Sequence, residues 1–111
     1  MVKESGIRRG EVYLIALDPA RGEEIRKTRP CVVVSPDELN GHLRTVIVAP
    51  LTTGSHGYPF RVPCRFGGCS GHVVLDQIRT VDRDRLVRRL GRLSPKATAL
   101  SLAVLREMFA A

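Results

Sequence analysis

The chain reads as a small, mostly β domain, an antiparallel barrel or sandwich with one helix at its C-terminal end. Three observations predict this. Short β-patterned runs recur through to residue 90; Pro, Gly, Asn and Asp separate them without the alternating helical patterns of a βαβ layout; and the hydrophobic period changes only in the last segment. With 111 residues the chain makes one domain, 1–111, long enough for a hydrophobic core and too short for a second.

The first strand is expected at 11–17, where Glu11-Val12-Tyr13-Leu14-Ile15-Ala16-Leu17 carries β-branched and aromatic residues. Cys31-Val32-Val33-Val34-Ser35 supplies the second. Pro36 at a helix's first position and Asn40-Gly41 at its end then predict a single helical turn within 35–41. Further strands are expected at 44–51, 59–64, 71–80 and 85–90. From Ser94-Pro95 onward a cap, a Pro at the first helical position and apolar residues at 97, 100, 104, 105 and 108 define an amphipathic helix running to 109 that packs on the sheet. Internal repeats and low-complexity tracts are absent.

Eighteen Lys and Arg against eleven Asp and Glu give a net charge of +7, and fifteen of those eighteen cations are Arg. A planar guanidinium grips phosphate at two points and stacks on bases, so the excess points to a nucleic-acid partner; solvated surface charge is the plainer alternative. Only five aromatics and no Trp exclude a wide base-stacking platform. Three cysteines make no disulfide framework, and a reduced intracellular setting is expected. Cys64 and Cys69, with four residues between them and His56 and His72 nearby, have some of the makings of a zinc site, but the intervening Gly67-Gly68 by itself makes a hairpin turn, and no metal or cofactor is expected. No apolar run approaches the roughly 18 residues of a membrane span and the N-terminus lacks an apolar leader core, so a cytoplasmic protein is expected.

Chemistry is concentrated in Gly22-Glu23-Glu24-Ile25-Arg26-Lys27-Thr28-Arg29-Pro30. Lying between two strand-like runs, it reads as a loop carried by a sheet, a common seat for catalytic groups. Two carboxylates stand within reach of three cations, which places a general base or acid beside groups that grip phosphate. A phosphodiester is the substrate class these residues fit. The histidines at 42, 56 and 72 have no spacing that makes a catalytic pair, and the Gly-rich stretch 53–58 lacks the GK[ST] of a P-loop.

Six segments in order resemble the MazF/PemK toxins of toxin–antitoxin modules: Arg9-Gly10-Glu11-Val12-Tyr13; Asp18-Pro19; Gly22-x-Glu24 with Thr28-Arg29-Pro30; Val48-Ala49-Pro50-Leu51-Thr52-Thr53; Gly57-Tyr58-Pro59-Phe60; and Val74-Leu75-Asp76-Gln77-Ile78-Arg79. The likeness covers roughly residues 8 to 109. It implies an SH3-like barrel of the CcdB/MazF type with a C-terminal helix, a homodimer, sequence-specific and metal-independent endoribonuclease action on single-stranded RNA, and neutralisation by an acidic MazE-like antitoxin.

By that resemblance Glu24 takes or orients the 2′-OH proton and Arg29 stabilises the charged phosphorane. Arg stays protonated, so electrostatic stabilisation suits Arg29 better than proton donation. Thr52 would donate a hydroxyl hydrogen bond to the same phosphate, with Thr53 beside it, although a strand-end Thr equally serves backbone. Arg26 and Lys27 are expected to hold RNA phosphates, and Thr28, His56 and Arg79 complete the RNA-binding candidates. Some PemK-like members place His where this chain has Glu23 and Arg where it has Val74. A mechanism built on that His is not open to this chain. Asp76 remains as a secondary catalytic candidate that orients Arg29 or contacts a base. Two readings from other classes compete: a CcdB-like inhibitor of DNA gyrase, and an RNA-binding barrel that does not cleave.

Overall fold

The computed structural model describes residues 6–54 and 57–111. Seven strands form one antiparallel sheet: β1 (Glu11–Ala16), β2 (Thr28–Val33), β3 (Thr45–Thr53), β4 (Arg61–Phe66), β5 (Cys69–Val74), β6 (Arg79–Asp82) and β7 (Leu86–Arg92). Helix α1 (Asp37–Asn40) joins β2 to β3, and α2 (Pro95–Met108) ends the chain. The pairing order is β4-β5-β3-β2-β1-β7, with β6 also on β3. Among the described residues no ladder joins β4 to β7, so the sheet wraps around without closing.

Strand alternation produces two cores. Tyr13, Ile15, Cys31, Val33, Val46, Val48 and Val81 fill the inside of the wrap. Val12, Val32, Ala49, Leu51, Val62 and Val73 face the other way and are covered by Ala97, Val104, Leu105 and Met108 of α2. Helix α2 begins as its sequence dictates: the Ser94 hydroxyl accepts from the Ala97 N–H at 3.1 Å, with Pro95 at the first helical position. Leu100 departs from the expected stripe and is 47% exposed.

One expected strand is in fact two. The apolar run 71–80 is broken by a 3-10 turn at Leu75–Gln77. Val73 lies opposite Leu51 and Arg79 opposite Val48, so the chain advances six residues while β3 falls back three. The surplus is taken up in the turn, whose Leu75 is wholly buried. An unbroken apolar run cannot reveal such a change of partner. The strand expected at 59–64 begins at Arg61, because Tyr58-Pro59-Phe60-Arg61 is a turn closed by the Arg61 N–H on the Tyr58 carbonyl at 3.2 Å. Phe60 sits there at φ +63°, a region that glycine normally occupies. Strand β2 starts three residues before the expected 31, which brings Thr28 and Arg29 into the sheet.

Several arginines serve the fold. Buried Arg83 donates to the Leu43 carbonyl at 2.7 Å and to the Asn40 carbonyl at the end of α1. Buried Glu11 accepts from the Arg8 N–H at 2.7 Å, the Tyr13 hydroxyl at 3.2 Å and Arg89 Nε at 2.7 Å, tying β1 to β7. Burial, reinforced by the Glu11 carboxylate, pushes the Tyr13 phenol up to about 12.

Candidate active site

The segment between β1 and β2 is pinned at its base. Leu17 N–H donates to the Lys27 carbonyl at 2.8 Å, and Lys27 N–H to Asp18 Oδ1 at 3.0 Å, with Lys27 itself at φ +67°. Arg85 reaches the carbonyls of Ala16 and Asp18. From the turn after β5, Gln77 uses both ends of its amide: Oε1 accepts from the Ile25 N–H at 2.7 Å and Nε2 donates to the Glu23 carbonyl at 3.3 Å. Arg79 donates to the Leu17 carbonyl at 3.2 Å and the Ile25 carbonyl at 3.4 Å. Residue 24 is therefore held between two backbone anchors supplied from more than fifty positions away.

Replacing Gln77 with Ala is expected to leave the sheet folded and to free this segment. A net hydrogen bond of about 1 kcal/mol predicts roughly fivefold to tenfold faster hydrogen exchange at the Ile25 amide. Unchanged exchange there would show that the amide does not hold the loop.

Within the loop, the Arg21 carbonyl accepts from the Glu24 N–H at 3.0 Å while Glu24 Oε1 accepts from the Arg21 N–H at 2.5 Å. Arg26 donates to the Gly22 carbonyl at 3.1 Å, and Arg29 Nε to the Arg26 carbonyl at 3.3 Å. Glu24, Arg26 and Arg29 are all exposed. Among the described residues neither Glu24 nor Arg29 forms an ion pair.

These residues form one side of an open cleft of about 560 Å³. Leu51, Thr52 and Thr53 at the end of β3 line it, and the β4–β5 hairpin makes the facing wall with Cys64, Phe66 and Cys69. Gly67 and Gly68, at φ +58° and +78°, turn that hairpin, as their sequence signals. Of the residues singled out from sequence, the cleft brings together Glu24, Arg26, Arg29, Thr52 and Thr53. Lys27 and Thr28 are exposed beside it without lining it. His56 lies outside the described residues.

One assignment changes. Asp76 does not orient Arg29: its carboxylate is gripped by Arg61, with Nε to Oδ1 at 2.9 Å and Nη2 to Oδ2 at 3.0 Å. Arg61 lies nearer in space because β4 and β5 are paired, and it also sits 4.8 Å from the centre of the Tyr58 ring. Arg79, expected to bind RNA, donates its guanidinium to two loop carbonyls in this structure. Gln77 was inside a matched segment but had no assigned role, since an amide's partners cannot be read from its neighbours in sequence. In sequence the hairpin wall shows strand patterns, a turn signal and a weak zinc pattern, none of which places it on the cleft.

The Arg61 hydrogen bonds hold the Asp76 carboxyl below its ordinary value of 3.8. A depressed carboxylate contributes stability that is present above the unfolded pKa and lost as pH falls through the folded one. Asp76→Asn should therefore be slightly less stable than the parent at neutral pH, with the difference vanishing in acid below the ordinary carboxylate range. Denaturant midpoints across pH check this, and parallel profiles would contradict it.

The family model described as "PemK-like, MazF-like toxin of type II toxin-antitoxin system" matches residues 8–109. The chain is similar to the Endoribonuclease toxin ChpB of Escherichia coli, with 36% identity over 82% of this chain and 84% of that one. It is likewise similar to Endoribonuclease MazF9 of Mycobacterium tuberculosis, with 37% identity over 79% and 83%. Among solved structures, the MazF crystal structure (Form-I) from Deinococcus radiodurans matches with TM-score 0.80 and 29% identity, covering 92% of this chain and 94% of that one. An endoribonuclease in complex with its cognate antitoxin, from a mycobacterial species, matches with TM-score 0.77, 26% identity and coverage of 92% and 93%.

Proposed function

Given that this chain belongs to the PemK-like, MazF-like endoribonuclease toxins of type II toxin–antitoxin systems, we propose that it cleaves single-stranded RNA at specific sequences by internal attack of the 2′-OH, without a metal ion. The observation that carries this reading is the shared cleft: the Glu24 carboxylate and the Arg29 guanidinium, neither in an ion pair among the described residues, and Thr52 line one open surface. An attack by the neighbouring 2′-OH needs no activated water. It needs a proton acceptor, a proton for the departing 5′ oxygen, and positive charge where the phosphorane gathers negative charge. Glu24 serves as acceptor or orienting group, Arg29 as the electrostatic clamp, and Thr52 as a hydrogen-bond donor to the phosphate, while the departing 5′ oxygen takes its proton from solvent in the open cleft. Arg26 on the cleft and Lys27 beside it hold flanking phosphates.

Incubating the protein with a long single-stranded RNA in EDTA should yield discrete fragments with 2′,3′-cyclic phosphate and 5′-OH ends. Fragments with 3′-OH ends, or cleavage abolished by the chelator, would contradict the mechanism. A gyrase inhibitor or a non-cleaving barrel would leave the RNA intact. A closed two-fold homodimer is part of this proposal, as the commonest assembly of small soluble chains. An acidic antitoxin segment that folds onto the basic surface is the partner proposed, supported by the mycobacterial endoribonuclease solved with its cognate antitoxin.

A further inference from the structure

A second recess, of about 570 Å³, is walled by Gly54, Pro63, Cys64, Ser70, Gly71 and His72. Cys64, Ser70 and Gly71 border the cleft as well, so the two hollows adjoin at the β4–β5 hairpin. Strand register sets what stands in the recess. His72 on β5 is paired with Thr52 on β3 and with Pro63 on β4, so the three side chains form one row across a single face of the sheet. Directly opposed residues hold their Cβ atoms about 4.5–5.5 Å apart, which puts the imidazole next to Thr52. His72 is half-buried, and neither ring nitrogen has a hydrogen-bond partner among the described residues.

We propose that this recess seats the base of a nucleotide flanking the cut, and that His72 is the residue that reads it. The inference rests on the cleft being the RNA-cleaving site and adds a specificity determinant to it. The walls suit a base better than a phosphate. Among the described residues no Lys, Arg, Asp or Glu lines the recess, while the Pro63 ring and the imidazole offer faces to a flat heterocycle. Charge stands at the rim: exposed Arg65 lies opposite Ser70 and donates Nη1 to its Oγ at 3.4 Å, where a neighbouring phosphate can be held. A phosphate resting on Thr52 is one sugar away from its base, and His72 is one strand away from Thr52. One nucleotide can therefore engage both.

Stacking and edge recognition make separable contributions at such a site. Every base has a flat face, so stacking on a ring tolerates any sequence, whereas hydrogen bonds to the base edge discriminate. An imidazole can supply both, since a neutral ring carries one donor and one acceptor nitrogen. Phe in its place would keep the stacking face and lose the reading. Ala would lose both.

The test cleaves a pool of single-stranded RNAs randomised around the cut and sequences the new ends for the full chain, His72→Phe and His72→Ala. His72→Phe should lower the base preference at one position beside the cut by about fivefold or more, the scale of one lost hydrogen bond, and leave the other positions as they were. His72→Ala should lose the same preference and also weaken RNA binding. A profile unchanged in both variants, or all sequences slowing alike as with a merely structural histidine, overturns the proposal. A second measurement needs no variant to stay active. The His72 ring-proton NMR signals of the parent, assigned by their loss in His72→Phe, should shift when a short RNA with a 2′-deoxy sugar at the cut is added. Signals that stay in place on a bound RNA also overturn it. If the parent shifts these signals yet cuts no RNA, the catalytic reading fails while the base recess stands.

Discussion

Replacing Arg29 with Ala is expected to lower single-turnover cleavage of bound RNA by about 10²-fold or more, the scale seen when one oxyanion donor is removed. RNA affinity should change little. Arg29 is anchored in β2 opposite Ile15 and is followed by Pro30, while its Nε is fixed on the Arg26 carbonyl at 3.3 Å. A clamp preorganised in this way acts where charge develops, not where the substrate is first gathered. Arg29→Lys should rescue only in part, because an ammonium keeps the charge and loses the two-pronged grip. Arg26→Ala and Lys27→Ala should instead weaken binding and flatten its salt dependence, with modest change in the saturated rate. Wild-type cleavage of bound RNA by Arg29→Ala would remove Arg29 from the chemistry.

Gly71→Ala should be the most damaging single methyl group in the hairpin. A Cβ at that position would lie 1.7 Å from the Thr52 carbonyl oxygen and 2.8 Å from the Thr52 carbonyl carbon, both backbone atoms that cannot swing aside. Strands β3 and β5 must part, and the Leu51–Val73, Thr52–His72 and Thr53–Gly71 pairings with them. A loss of about 3 kcal/mol or more is expected, at the upper end for overpacking, together with displacement of Thr52 from the cleft. Gly57→Ala, where the added Cβ meets nothing within 4 Å, provides the contrast and should be near neutral. Equal denaturation midpoints for the two variants would show that the strands do not approach as described.

Much of this was legible because local chemistry determined it. Ser94-Pro95 capped and started α2, and Gly67-Gly68 turned a hairpin. The ordered set of motifs carried the family and with it the loop, Glu24, Arg29 and Thr52 as residues of interest. The Arg excess was read less well. Arg9, Arg79, Arg83 and Arg85 donate to backbone carbonyls of their own fold, so a part of the charge that resembled a nucleic-acid footprint is structural.

By itself the sequence determined the class of domain, its family and the small set of charged groups available for phosphodiester chemistry, since periodicity, caps, turns and residue types are properties of neighbours along the chain. Only the tertiary structure decided which of those groups share a surface. It gave Asp76 to Arg61, spent Arg79 and Gln77 on holding the loop, and set the thiol-bearing hairpin opposite Glu24 and Arg29. Those outcomes depend on β3 exchanging one partner for another midway and on a glycine that lets two backbones touch. Such long-range pairings leave no local signal, because the same short segments would keep their propensities in any register.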